Sequence, residues 1–235
     1  MPDFQLFYTS DIHSPEFFLD EQESKHLIRV LRKSTGDEVF FTDGKGSLFQ
    51  CRIAVAHARK AVLEVVNVQQ FPAPAFPLTV AIAPTKNIDR MEYFVEKAVE
   101  IGVHRIVPIR CDRSERKAIK TDRLQKIAVS AMKQSLKYHL PIVEELQTLD
   151  DYLASCPIPT FIAHLAEDGS SIPFLDAARR VQEAAVLIGP EGDFSPEELE
   201  RIVARSVQMV SLGTSRLRTE TAGIMAVATW NLVHG

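Results

Sequence analysis

Two short segments carry the residues best placed for chemistry. Residues 187–195, Leu-Ile-Gly-Pro-Glu-Gly-Asp-Phe-Ser, and residues 212–222, Leu-Gly-Thr-Ser-Arg-Leu-Arg-Thr-Glu-Thr-Ala, each place glycine directly after an apolar run. Gly189 and Gly192 open backbone conformations closed to other residues and allow a ligand close approach; a plain tight turn is the alternative. In the second segment, Arg218 can stabilise negative charge developing on a substrate, or it can pair with Glu191 or Glu220. Glu220 can serve as a general base, or it can favour the start of a helix, where negative charge is stabilising. Neither segment is a G-x-x-x-x-G-K-[ST] loop or a G-x-G-x-x-G turn followed by an acidic residue about 20 positions on. A phosphate cradle is therefore not expected.

The flanking residues say how these loops are held. Residues 184–188, Ala-Ala-Val-Leu-Ile, form the unbroken apolar run of a strand buried on both faces. Ser195 is a helix N-cap, Pro196 occupies the first helical position and Glu198 completes a capping box. Residues 208–212 read as a second strand, and from Thr219 or Glu220 a helix runs on through Ala222, Ile224, Met225, Val227, Trp230 and Leu232. Apolar nearly all round, that helix belongs in a core or at a subunit interface, with Trp230 as a packing residue. Both loops thus have the form strand, turn, helix. In open α/β sheets ligands lie beyond the carboxyl ends of strands, so the loops read as two walls of one pocket. A ligand with an adenine-like polar edge and little phosphate suits such walls, and S-adenosylmethionine fits that description.

The 235 residues, 46% hydrophobic and 25% charged, suit a soluble protein of one large or two small domains. No stretch has the length of a membrane span and the N-terminus shows no signal-peptide pattern, so a cytoplasmic location without membrane contact is expected. Cys51, Cys111 and Cys156 have no metal-ligand spacing, and neither a metal nor a disulfide framework is expected. The net charge is −4, but residues 105–137 hold ten basic residues against three acidic ones. Such a run is either a local RNA-binding patch or a solvated helix face.

Residues 1–71 read as β-rich, with strands over 38–42, 48–55 and 61–68 and one early helix capped by Asp20 with Glu23. The proline-rich run 72–77 is an extended linker. Beyond it, a strand over 78–83, a helix over 89–101 and a strand over 104–109 begin an α/β alternation that continues through 161–164, which implies a parallel sheet across 78–235.

The two loops, together with Lys97-Ala98-Val99-Glu100-Ile101-Gly102-Val103 and Gln134-Ser135 followed by Pro141, resemble the RsmE family of 16S ribosomal RNA (uracil-N3)-methyltransferases, of the SPOUT class. The resemblance spans nearly the whole chain. It implies a C-terminal SPOUT α/β domain whose trefoil knot forms an S-adenosylmethionine pocket, and a small N-terminal PUA-like β-barrel domain that binds RNA. It also implies a homodimer acting on 16S rRNA, within the small ribosomal subunit, at N3 of the uridine conventionally numbered 1498. On this basis the expected pocket residues are Leu165, Gly189, Pro190, Glu191, Gly192, Leu212, Gly213, Leu217 and Arg218, with Arg218 and Glu220 catalytic. The expected RNA contacts are Lys25, Arg29, Arg32, Lys33, Arg113, Lys133, Gln134, Ser135 and Lys137. The chain departs from the family pattern at Asp193, where a second glycine is usual, at Ser215-Arg216, which shifts the first loop arginine by one place, and at Lys137, where arginine is usual. A SPOUT enzyme with another rRNA or tRNA target and a non-catalytic ribosome-assembly factor are the competing readings.

Overall fold

The computed structural model describes residues 4–12, 15–156, 158–164 and 171–235. The chain divides into two compact units, Met1–Ala73 with Met132–Leu140, and Pro74–Ala131 with Pro141–Gly235.

The first unit holds β1 (Leu6–Tyr8), β2 (Glu16–Phe18), β3 (Glu38–Thr42), β4 (Ser47–Val55) and β5 (Val62–Gln70) in one sheet of order β1-β3-β4-β5-β2. Only the β1–β3 pairing is parallel. Alternation along β4 turns Cys51 and Ile53 inward and Arg52 outward. They join a core that includes Phe7, Phe17, Leu27, Phe41 and Leu63. Helix α1 (Glu21–Lys25) starts where the Asp20 side chain accepts from the Glu23 N–H at 2.8 Å. It passes into a π-helical turn, His26–Val30, a geometry found mostly as single turns and often at functional sites. Just beyond it Arg32 takes a left-handed conformation at φ 56°.

Residues 132–140, expected as part of a continuous domain 78–235, group with this first unit instead. The Gly46 N–H donates to Tyr138 O at 2.9 Å, the Leu140 N–H donates to Gly44 O at 2.8 Å, and the Tyr138 and Phe71 rings stack at 4.3 Å. These are contacts distant in sequence, which neither local propensity nor the proline run signals.

The second unit contains β6 (Leu78–Ile82), α2 (Ile88–Ile101), β7 (Arg105–Arg110), most of α3 (Thr121–Gln134), β8 (Ile142–Val143), β9 (Gln147–Thr148), α4 (Leu149–Ser155), β10 (Thr160–Ala163), β11 (Ile172–Pro173), α5 (Phe174–Ala178), β12 (Ala184–Ile188), α6 (Pro196–Ala204), β13 (Gln208–Ser211) and α7 (Thr219–His234). Its strands form a parallel sheet of order β11-β13-β10-β12-β6-β7-β8, with β9 on β7. Every residue of β6 and β12 is buried, as expected of central parallel strands. The chain places β13 beyond β10 and then returns as α7 to pack on α2, β6 and β12. This strand order is consistent with the SPOUT class. Trp230 is a packing residue, as its setting in the sequence suggests: it is 4% exposed, and its Nε1–H donates to Phe76 O at 2.9 Å.

Candidate active site

The exits of β12 and β13 meet. Gly189 follows β12 at a point where a Cβ would lie 2.9 Å from Cε2 of the buried Phe194 ring, so only glycine fits without a shift. The Asp193 N–H donates to Pro190 O at 3.0 Å and closes a turn, after which Ser195 starts α6. The reciprocal capping box is formed: Ser195 Oγ accepts from the Glu198 N–H at 3.1 Å, and Glu198 Oε2 accepts from the Ser195 N–H at 2.8 Å. Gly213, at φ 129°, turns the chain out of β13. The Thr219 hydroxyl donates to Gly189 O at 3.0 Å and pins the second loop to the first.

Between them lies a cavity of about 690 Å³, within the range of small-molecule sites. Gly189, Pro190, Glu191, Leu212, Gly213, Leu217 and Arg218 line it, together with Arg90, His164, Asp193, Ser215, Arg216 and Thr219. Of the expected pocket residues, Gly192 does not line it; its carbonyl accepts from Arg113 Nη1 at 3.0 Å. Leu165 lies outside the described residues. Glu220 lies behind the wall rather than on it. It is 6% exposed in the first turn of α7, with Oε1 at 3.8 Å from Arg90 Nε. Arg218 is exposed and makes no ion pair with a described residue, so neither salt bridge weighed from the sequence is present.

Arg90, His164 and Asp193 were missed from the sequence. Arg90 sits in the first turn of α2, which follows the central strand β6, and His164 directly follows β10, so the rule of strand carboxyl ends covers both once strand order is known. Glu191 Oε1 accepts from the Lys86 N–H at 3.0 Å, and the Arg116 guanidinium donates to Thr85 O and Lys86 O, which brings the loop after β6 up to the same wall. The Glu115 carboxylate, 2.7 Å from Lys86 Nζ, hydrogen-bonds that ammonium and raises its pKa.

The expected RNA contacts fall in both units. In the first, Lys25, Arg29, Arg32 and Gln134 are exposed, while Lys33, Lys133, Ser135 and Lys137 are half-buried. Burial pushes the Lys137 ammonium below its usual range. Arg113, in the second unit, spends Nη1 on the carbonyls of Gly192 and Phe194, so it buttresses the glycine loop. Among the described residues no cluster of His, Cys, Asp and Glu could hold a metal ion, and no helix is long and apolar enough to cross a membrane.

A parallel sheet with a clasped glycine-loop cavity at its strand ends agrees with two family models. Residues 72–231 match the RNA methyltransferase domain, and residues 19–66 match the RNA methyltransferase PUA domain. The class is therefore that of the RNA methyltransferases. Ribosomal RNA small subunit methyltransferase E of Aquifex aeolicus is 29% identical over 95% of this chain and 97% of its own length; its namesake from Synechocystis is 30% identical over 88% and 69%. A probable rRNA-methyltransferase from Porphyromonas gingivalis, solved as a crystal structure, is 39% identical with a TM-score of 0.90 over 98% of both chains. The Neisseria gonorrhoeae ribosomal RNA small subunit methyltransferase E, bound to S-adenosyl methionine, is 26% identical with a TM-score of 0.85 over 96% of this chain and 95% of its own. The chain belongs to the ribosomal RNA small subunit methyltransferase E family.

Proposed function

We propose that this protein methylates N3 of a single uridine, 1498 in conventional 16S numbering, in small-subunit rRNA, with S-adenosylmethionine bound in the clasped cavity. The clasp itself carries the reading: two glycine exits, tied by Thr219 to Gly189 O, present backbone edges around a space of cofactor size. When bound, S-adenosylmethionine supplies an electrophilic methyl carbon, its sulfur keeping the bonding electron pair and leaving as a neutral thioether while the carbon–N3 bond forms. Holding donor and acceptor in line accounts for up to roughly 7–11 kcal/mol of the barrier.

The chain's own task is to make N3 nucleophilic. N3 of neutral uracil carries a proton and no available lone pair; that proton passes to solvent water, and its loss puts negative charge on O2 and O4. Arg218 and Arg90 stand on the wall to meet that charge, a donor role worth roughly 2.7–4 kcal/mol in comparable sites. Glu220, buried behind Arg90, serves to hold that guanidinium. Lys86, Asn87, Arg90, Glu115 and Glu191 border an adjoining cleft of about 410 Å³, which suits the acceptor base. Lys25, Arg29, Arg32, Lys33, Lys133, Gln134, Ser135 and Lys137 contact the rRNA. The exposed Met225 and Leu232 of α7 fit a second copy of the chain, giving a homodimer. Incubation with unmethylated 16S rRNA and labelled S-adenosylmethionine, followed by nucleoside analysis, tests the reaction. Label in 3-methyluridine supports it, and label in any other nucleoside refutes the N3 assignment.

A further inference from the structure

Asp193 lies on the cavity wall at φ 61°, a left-handed conformation that L residues avoid and Asp tolerates better than most. Backbone strain at a ligand-facing position points to work done by the side chain. One carboxylate oxygen, Oδ1, accepts from the Phe194 N–H at 2.8 Å and steadies the turn. The other, Oδ2, stands 3.2 Å from His164 Nδ1, and both side chains line the cavity. That nitrogen is buried and makes no aligned hydrogen bond with a described residue, so the Phe194 N–H contact is what holds the carboxylate. Asp193 remains 51% exposed. Glu191, the other carboxylate among the described lining residues, already accepts from the Lys86 N–H. Arg90, Arg216 and Arg218 bring positive charge to the wall, and Asp193 brings negative charge to the β10 side.

We propose that Asp193, oriented by the Phe194 N–H, makes this cavity sense the charge of its ligand, favouring the methyl donor over the demethylated product. The inference rests on the cavity being the S-adenosylmethionine site. The donor carries a sulfonium, an ammonium and a carboxylate, and is a net cation. S-adenosylhomocysteine has lost the sulfonium charge and is neutral overall, so a wall carboxylate attracts the first and is indifferent to the second. For a half-exposed carboxylate on a cavity wall the discrimination comes to about fivefold in affinity, or about 1 kcal/mol. Product release is eased in the same proportion.

Calorimetric titration of S-adenosylmethionine and of S-adenosylhomocysteine into the wild type, Asp193→Asn and Asp193→Gly tests this at low and high salt. Asparagine tolerates the left-handed turn and keeps an acceptor for the Phe194 N–H, while glycine relieves the strain, so both variants fold. The expected result is an affinity ratio that drops about fivefold in both variants through weaker donor binding, with product affinity unchanged in Asp193→Asn. Salt should shrink the wild-type ratio and leave that of the variants unmoved. An unchanged ratio, or equal losses for both ligands, overturns the proposal and leaves Asp193 a turn residue. If the wild type binds neither ligand, the reading of the cavity falls, and the proposal with it.

Discussion

Replacing Gly189 with alanine sets a methyl group against a ring that has no room to retreat. The new Cβ would stand 2.9 Å from Phe194 Cε2, 3.0 Å from Cδ2 and 3.4 Å from Cζ, while Phe194 is 2% exposed in a core shared with Leu149, Leu187 and Ile202. Overpacking of this kind costs about 1–3 kcal/mol. The stiffer unfolded chain returns about 0.4–1 kcal/mol, which from the middle of both ranges leaves a net loss of about 1.3 kcal/mol. At about 2–4 °C per kcal/mol for a chain of this size, thermal unfolding should move down by about 3–5 °C. The strain falls where Gly189 O accepts from the Thr219 hydroxyl, so affinity for S-adenosylmethionine should drop as well. A Phe194→Leu change in the same chain vacates the contested space, and the double variant should be less destabilised than the sum of the singles by about 1 kcal/mol. Additivity within about 0.5 kcal/mol, or a Gly189→Ala protein with unaltered melting and cofactor affinity, would mean that the Phe194 ring does not confine Gly189.

Arg218→Ala should slow single-turnover methylation by about 10²–10³ while leaving cofactor affinity nearly unchanged; a variant that loses only cofactor binding contradicts a catalytic role. Burial pushes the Cys51 thiol up to about 12, from an ordinary 9.0. As pH rises through that window the unfolded chain gives up this proton and the folded chain keeps it, so the Cys51 contribution to stability should decline between about 9 and about 12, read as a falling denaturation midpoint. For the same reason, an alkylating reagent at pH 8 should label the half-buried Cys156 and spare Cys51 and Cys111 until the chain is unfolded. Replacing Arg29 and Arg32 together should reduce the salt slope of RNA binding by about 1.4, if each touches one phosphate of a single strand; an unchanged slope removes that surface from the RNA contacts.

Much of the site was legible because it is built from local rules. The apolar run 184–188 is β12, the Ser195–Glu198 box is formed as read, and α7 begins at Thr219. The residues that escaped depend on strand order. Nothing local reports that β6 lies beside β12, so Arg90 could not be placed on the wall, and nothing local reports that β10 lies on the other side of β12, so neither could His164. Glu220 shows the converse limit. Its position in the second loop suggested a cavity-facing carboxylate, but helical phase and the packing of α7 on α2 turn it toward Arg90 instead. The grouping of residues 132–140 with the N-terminal unit rests on hydrogen bonds and a ring stack across more than sixty residues of chain, beyond any windowed reading. The left-handed backbone of Asp193, at φ 61°, is likewise set by the closure of its turn and not by any local pattern.

Transfer of a methyl group from the clasped cavity to N3 of one uridine in small-subunit rRNA can be mapped to a single nucleotide. The most direct measurement uses labelled S-adenosylmethionine with small ribosomal subunits lacking their uracil-N3 methylation, maps the label along the rRNA, and compares the protein with its Arg218→Ala variant. One labelled site is expected, 3-methyluridine at position 1498, lost in the variant. Cofactor binding without any label in subunits or free rRNA, or label at a different nucleoside, would contradict it.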